Sequence, residues 1–272
     1  MARWIPDAGQ APTDEAGRSW AVKIFTLGRF EIVQDGQLLR FSGKIQRRPL
    51  ALLKAIIAFG GRNVREERLI DTLWPDAHGD AARFSFTSAL HRLRRLLGQR
   101  EIVVRKDGKL SLNTQICWVD VWEVERLLDR VEAIPVARDG KKIFFTETMD
   151  LVRQAVALYQ GAFLYGESDA PWASAFADQV RRRLLRQLAA MGERSQSTEE
   201  WTEAALWYEK GLSVDPCAED VCRCLMIAYS KLCRTGEIMR IYRHCRESLR
   251  TLAGITPSAM TEELLKQFLT ER

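Results

Sequence analysis

Six side chains between positions 85 and 95, and three more between 105 and 109, hold the chemistry this sequence offers. Ser85, Thr87, Ser88, His91, Arg92 and Arg95 supply hydroxyls, an imidazole and guanidinium groups at helical spacing. Arg105, Lys106 and Lys109 place cations around an Asp107-Gly108 pair. A guanidinium bonds guanine through two parallel N–H groups, and hydroxyl and imidazole groups reach other base edges. Cations on a turn release condensed counterions when they meet phosphate. Such a set suits duplex DNA, with base edges the target of the first group and phosphate or the minor groove that of the second.

No other cluster supports catalysis or metal binding. Six cysteines include Cys222-Arg223-Cys224, with Cys217, Cys233, Cys245 and His244 near. A zinc site wants ligand pairs at short spacing on turns, followed by a matching second pair. These cysteines fall on helical segments, where residues two apart point about 200° away from each other. Buried structural thiols in a reducing compartment are therefore expected. His78, His91 and His244 lack a Ser, Cys or carboxylate at activating spacing, and Gly60-Gly61 lacks the Gly-Lys-Ser/Thr of a phosphate loop. The expectation is a protein with no enzymatic activity, no metal and no cofactor. No apolar run approaches membrane-spanning length, and MARWIPDAGQ lacks the plan of a signal peptide. A cytoplasmic, nucleoid-associated protein is expected, with no membrane partner.

The first group must be carried by one helix. At about 100° per residue, Asp80–Gly98 puts Ala82, Phe86, Ala89, Leu90, Leu93 and Leu97 on one face and Ser88, His91 and Arg95 opposite. Asp80 is placed to cap its start and Gly98 to take the left-handed turn that ends it. Phe84 is the odd member of the outward face: it either packs under a neighbouring hairpin or touches a thymine methyl. Upstream, Ala21–Leu39 predicts short strands with a tight turn at Asp35-Gly36. Lys44–Phe59 predicts a helix with Leu50, Leu53, Ile56 and Ile57 on one face, starting near Pro49 and ended by Gly60-Gly61. Val64–Trp74 predicts a second helix stopped at Pro75. Residues 102–104 and 110–112 predict a hairpin turning at Asp107-Gly108. After a linker or tail over residues 1–20, residues 21–116 thus read as a winged helix of the OmpR type with a small N-terminal sheet.

Residues 117–272 read as an all-α domain. Met149–Tyr159 and Trp172–Arg194 have helical period, and Arg181-Arg182-Arg183 with Arg186 reads as a solvated face. Glu203–Leu212, followed by Asp215-Pro216, resembles the second helix of a tetratricopeptide repeat. Glu237-Ile238 and Tyr242 repeat Glu203-Ala204 and Tyr208 after 34 residues, the period of that class. Val221, Leu225 and Tyr229 fit the intervening helix. Small Ala204 permits close approach, Tyr208 fills the gap between helices, and Pro216 begins the next helix. Ile238 stands where alanine is expected. The fold class is mainly α with a small β component: a winged helix followed by a tetratricopeptide-like domain.

Charge divides the same way. Ala21–Thr114 carries a net +9 and Gln115–Arg272 a net −3, which implies a polyanion at one end only. From Ile24 to Leu269 the chain resembles bacterial transcriptional activators of the antibiotic-regulator type, an OmpR-like winged helix plus a bacterial transcriptional activator domain. The resemblance rests on Leu27-Gly28-Arg29-Phe30, Leu73-Trp74-Pro75 and the run Leu93–Gly98 in the first part. In the second it rests on Leu158-Tyr159-Gln160-Gly161, Trp172, Asp215-Pro216 and Gly254-Ile255-Thr256-Pro257-Ser258. One departure is Gly108-Lys109, where that family commonly has Gly-Tyr. The resemblance implies double-stranded promoter DNA as partner of the winged helix. RNA polymerase is a further implied partner, and the helical domain is implied to serve regulation or homodimer formation. The expected function is a sequence-specific transcriptional regulator, an activator. The competing reading is a helical-repeat scaffold whose winged helix docks protein, which would not need a net +9 with cations on both helix and turn.

Overall fold

A computed structural model of the chain describes residues 20–41, 47–77, 79–98, 100–134, 142–165 and 170–270. Residues 1–19 of the linker expected over 1–20, the first residues of the Lys44–Phe59 helix and His78 lie outside them. Two units are formed, Met1–Arg126 with Ala157–Asp178, and Leu127–Val156 with Gln179–Arg272.

The first unit begins with β1 (Val22–Phe25), β2 (Glu31–Gln34) and β3 (Gln37–Leu38), paired antiparallel. Then come α1 (Arg47–Ala58), β4 (Val64–Arg65), α2 (Glu66–Leu73), α3 (Gly79–Leu96), β5 (Val103–Lys106), β6 (Lys109–Leu112) and β7 (Cys117–Val119). One sheet has the order β3-β2-β1-β7 and the other β4-β6-β5. Asp35 and Gly36 both have positive φ (48° and 79°), so β2 and β3 are joined by the type I′ turn that an Asp-Gly pair favours. α1 buries Leu52, Leu53, Ile56 and Ile57, with Leu50 half-buried, and Gly60 and Gly61 end it at φ 88° and 67°.

Tertiary pairing changes several local expectations. Val64-Arg65 is strand, not the start of a helix, because its backbone pairs with Leu110 and Lys109 of β6. Helix α3 starts at Gly79, so Asp80 lies in its first turn and acts on the dipole rather than as the cap. Ile102 closes a 3-10 turn, Arg100–Ile102, ahead of β5. Strand β7 runs parallel to β1, and the first unit continues past residue 116 to take in β7, the start of α4 (Asp120–Ala133) and residues 157–178.

Two motifs far apart in the chain meet in this unit. Gly28 N–H donates to the Ala162 carbonyl at 3.0 Å, and Leu164 N–H to that of Thr26 at 2.8 Å. Gly28 sits at φ 76°, and a Cβ there would stand 2.7 Å from the Gln160 carbonyl oxygen. Gly28→Ala should therefore destabilise this unit by about 2 kcal/mol, through left-handed strain and the backbone clash. Urea unfolding followed by tryptophan fluorescence measures it; a loss under about 0.5 kcal/mol, the size of a surface change, would refute the contact.

The second unit contains the rest of α4, most of α5 (Lys142–Leu158) and α6 (Pro171–Ser197), and all of α7 (Trp201–Val214), α8 (Glu219–Lys231), α9 (Thr235–Ser248) and α10 (Ala259–Thr270). A core of Ala204, Tyr208, Leu212, Val221, Leu225, Tyr229, Ile238 and Tyr242 carries the 34-residue echo. Each buried tyrosine keeps its hydroxyl bonded: Tyr208 to Gln196, Tyr229 to Glu209, Tyr242 to Glu262. Helix α9 runs into a π turn, Leu249–Ala253, that Gly254 ends at φ 70°. Beyond it, Ser258 N–H and Oγ donate to Glu219 Oε1 at 2.7 and 2.6 Å, which ties α10 to the start of α8. Pro216 lies in the turn before α8, not in the helix. Cys217 and Cys233 are also in turns, and Cys233 is exposed. The arginine run is not a uniformly solvated face. Arg183 bonds Asp129 and Glu132 at 2.7 and 2.9 Å, and Arg181 bonds Asp215 at 2.9 Å, leaving Arg182 and Arg186 exposed.

Candidate nucleic-acid interface

Helix α3 is fixed by its buried face. Ala82, Phe86, Ala89, Leu90 and Leu93, with Leu97 just beyond the helix, are all buried, and Gly98 leaves the helix at φ 68°. The Trp74 ring meets Phe86 edge-on at 6.3 Å, and Arg48 Nη1 donates to the Leu73 carbonyl, so the Leu73-Trp74 pair joins α1 to the buried face of α3. Near the other end, Arg94 donates from Nε and Nη2 to the Val103 carbonyl at 3.0 and 2.8 Å. That side chain sets the spacing between α3 and β5.

With the inner face committed, the outer face is left to solvent. Thr87, His91, Arg92 and Arg95 are exposed, and Ser85 and Ser88 are half-buried. Among the described residues, neither Arg92 nor Arg95 has a carboxylate partner. An unpaired guanidinium on a rigid helix is ready for a bidentate acceptor without first breaking an ion pair.

The β5–β6 hairpin turns at Asp107 (φ 49°) and Gly108 (φ 68°), again a type I′ turn. Lys109 after the turn is accommodated as the first residue of β6, directly opposite Lys106, and both lysines are exposed. Arg105 is placed differently. Its Nε and Nη2 bond both Glu66 oxygens at 2.6 Å, and that hydrogen-bonded carboxylate raises the arginine's pKa further. Glu66 N–H also donates to the Gly108 carbonyl at 3.0 Å. The start of α2 therefore holds the tip of the hairpin and the end of β5 that leads into it.

Arg65 is the cation that sequence reasoning missed. It is exposed on β4 and directly opposite Lys109, which is directly opposite Lys106. Arg65, Lys109 and Lys106 thus form an in-register row across the three-stranded sheet, with no carboxylate partner among the described residues. Like charges opposite one another repel, and an anion laid along the row removes that cost. The only local signal was β-branched Val64 after a double glycine, which a helical reading overrides.

Among the described residues no helix is long and apolar enough to cross a membrane. Nor does any group of three or more His, Cys, Asp or Glu come together to hold a metal ion.

A family model described as the bacterial transcriptional activator domain matches residues 119–269. The chain is 25% identical over 255 residues to the regulatory protein AfsR of Streptomyces coelicolor, covering 94% of this chain and 25% of that protein. It is 26% identical over 261 residues to the regulatory protein AfsR of Streptomyces griseus, covering 92% and 24%. This chain thus spans about a quarter of the length of the curated relatives it matches. Among solved structures, Mycobacterium tuberculosis EmbR, in complex with a low affinity phosphopeptide, matches 93% of this chain and 66% of its own. The TM-score is 0.63 at 20% identity, a likeness of fold.

Proposed function

This chain belongs to the bacterial transcriptional activator domain family, and on that premise we propose that it is a sequence-specific DNA-binding transcriptional regulator, an activator. Helix α3 enters the major groove, where Ser85, Thr87, Ser88, His91, Arg92 and Arg95 meet base edges. Lys106, Lys109 and Arg65 grip phosphate or the flanking minor groove. Arg105, bonded to Glu66 through Nε and Nη2, keeps Nη1 for the same phosphates. Residues 21–116 are the reading part. Residues 117–272 are the regulatory part, serving homodimer formation and contact with RNA polymerase, and the protein works at the nucleoid as a binder and not as an enzyme. The observation that carries the reading is the pair of unpaired cation sets, Arg92 and Arg95 on the packed helix and the Arg65–Lys109–Lys106 row on the hairpin sheet.

Arg95→Ala and Lys106→Ala, titrated at two salt concentrations against a selected and a random duplex, separate reading from gripping. Arg95→Ala should cost about 1–3 kcal/mol on the selected duplex and narrow the gap to the random one. Lys106→Ala should weaken both duplexes alike and lower the salt slope by ~1. If both variants bind as the parent does, α3 is not in the groove and the protein-docking scaffold takes its place.

A further inference from the structure

We propose, resting on the DNA-binding reading above, that Phe84 is a specificity-determining residue that recognises thymine through its C5 methyl group. Phe84 is 76% exposed on a helix whose other phenylalanine, Phe86, is 1% exposed. At about 100° per residue, Phe84 lies about 180° from buried Leu93 and within about 40° of Ser88, His91 and Arg95. No rotamer brings it back to the core. With that exposure it is not packed under the hairpin, where Val103, Leu110 and Leu112 are buried and Val104 is itself 44% exposed.

Phe84, Ser88, His91 and Arg95 form one stripe about 16 Å long, from the second turn of α3 to its last. Three of the four are hydrogen-bonding groups, and the fourth is a large apolar ring left in water. The major groove edge of a base pair offers acceptors, donors and a single apolar group, the thymine methyl. A phenyl ring aligned with base-reading groups is matched by that methyl and by nothing else on the groove floor. Burial of the ring against it recovers hydrophobic free energy that exposure withholds from the unbound protein.

The test uses the full chain and a duplex chosen by repeated selection from a random library. Each thymine of the chosen site is then replaced singly by deoxyuridine, which removes only the methyl group. One or two positions should lose about three- to fourfold in affinity, the worth of one buried carbon. Phe84→Ala should bind the thymine duplex more weakly and no longer distinguish thymine from uracil at those positions. Phe84→Leu should retain the distinction, and the melting temperature of both variants should stay at the parent's. Equal thymine and uracil affinities at every position would overturn the inference, as would a Phe84→Ala protein that still discriminates. A selection that enriches no sequence overturns the DNA-binding reading itself, so the two failures are told apart.

Discussion

Asp120→Ala is expected to destabilise the first unit by about 3–5 kcal/mol. The carboxylate is 3% exposed at the first position of α4. It accepts from Thr26 N–H at 2.8 and 2.7 Å, from Thr26 Oγ1 at 2.6 Å, from Leu27 N–H at 2.9 Å and from Val121 N–H at 2.7 Å. Removing it strands three backbone donors and a hydroxyl inside the protein, and each orphaned group costs about 1–3 kcal/mol before water or rearrangement relieves part of it. The same lesion frees the end of β1 that leads into the Gly28 contact. Asp120→Asn keeps one acceptor oxygen but turns an amide N–H₂ toward a donor, so its loss should be smaller yet clear. Denaturant unfolding of both variants gives the comparison. An alanine variant within about 0.5 kcal/mol of the parent would show that Asp120 does not organise this end of the sheet.

Tyr208→Ala should cost the second unit about 3–5 kcal/mol, the range of buried aromatic truncation. Its side chain is fully buried, and its hydroxyl donates to Gln196 Oε1 at 3.1 Å. The ring lies directly on Gly192, where a Cβ would stand 2.3 Å from it. Gly192→Ala is therefore an overpacking lesion of about 1–3 kcal/mol in the parent. In a protein already lacking the Tyr208 ring, the added methyl enters the vacated space. The double variant should accordingly lose less than the sum of the single losses, by about 0.5–3 kcal/mol. Strict additivity in thermal or urea melts would place the ring elsewhere.

What could be read without a fold was local and periodic. The α3 stripe of Phe86, Leu90, Leu93 and Leu97 is visible because a helix repeats every few residues, and all four side chains are buried. Both Asp-Gly turns are visible because a two-residue hairpin demands two positive φ angles. The tetratricopeptide echo is visible because stacked helix pairs repeat their contacts at a fixed period. The pairings that hold these pieces have no period. Asp120 and Thr26 lie 94 positions apart and Glu66 and Arg105 39 apart, while Gly28 and Gly161 answer to each other's missing side chain and the Tyr208 ring takes the space that Gly192 leaves. Such partners are chosen by three-dimensional proximity alone. That is why Arg65 joined a row of cations only once β4 had found β6, and why Arg183 left the solvent for Asp129 and Glu132. Outward direction at Phe84 followed from helical period. Its 76% exposure was decided by where the hairpin and the other helices came to rest, since exposure is a property of what surrounds a side chain.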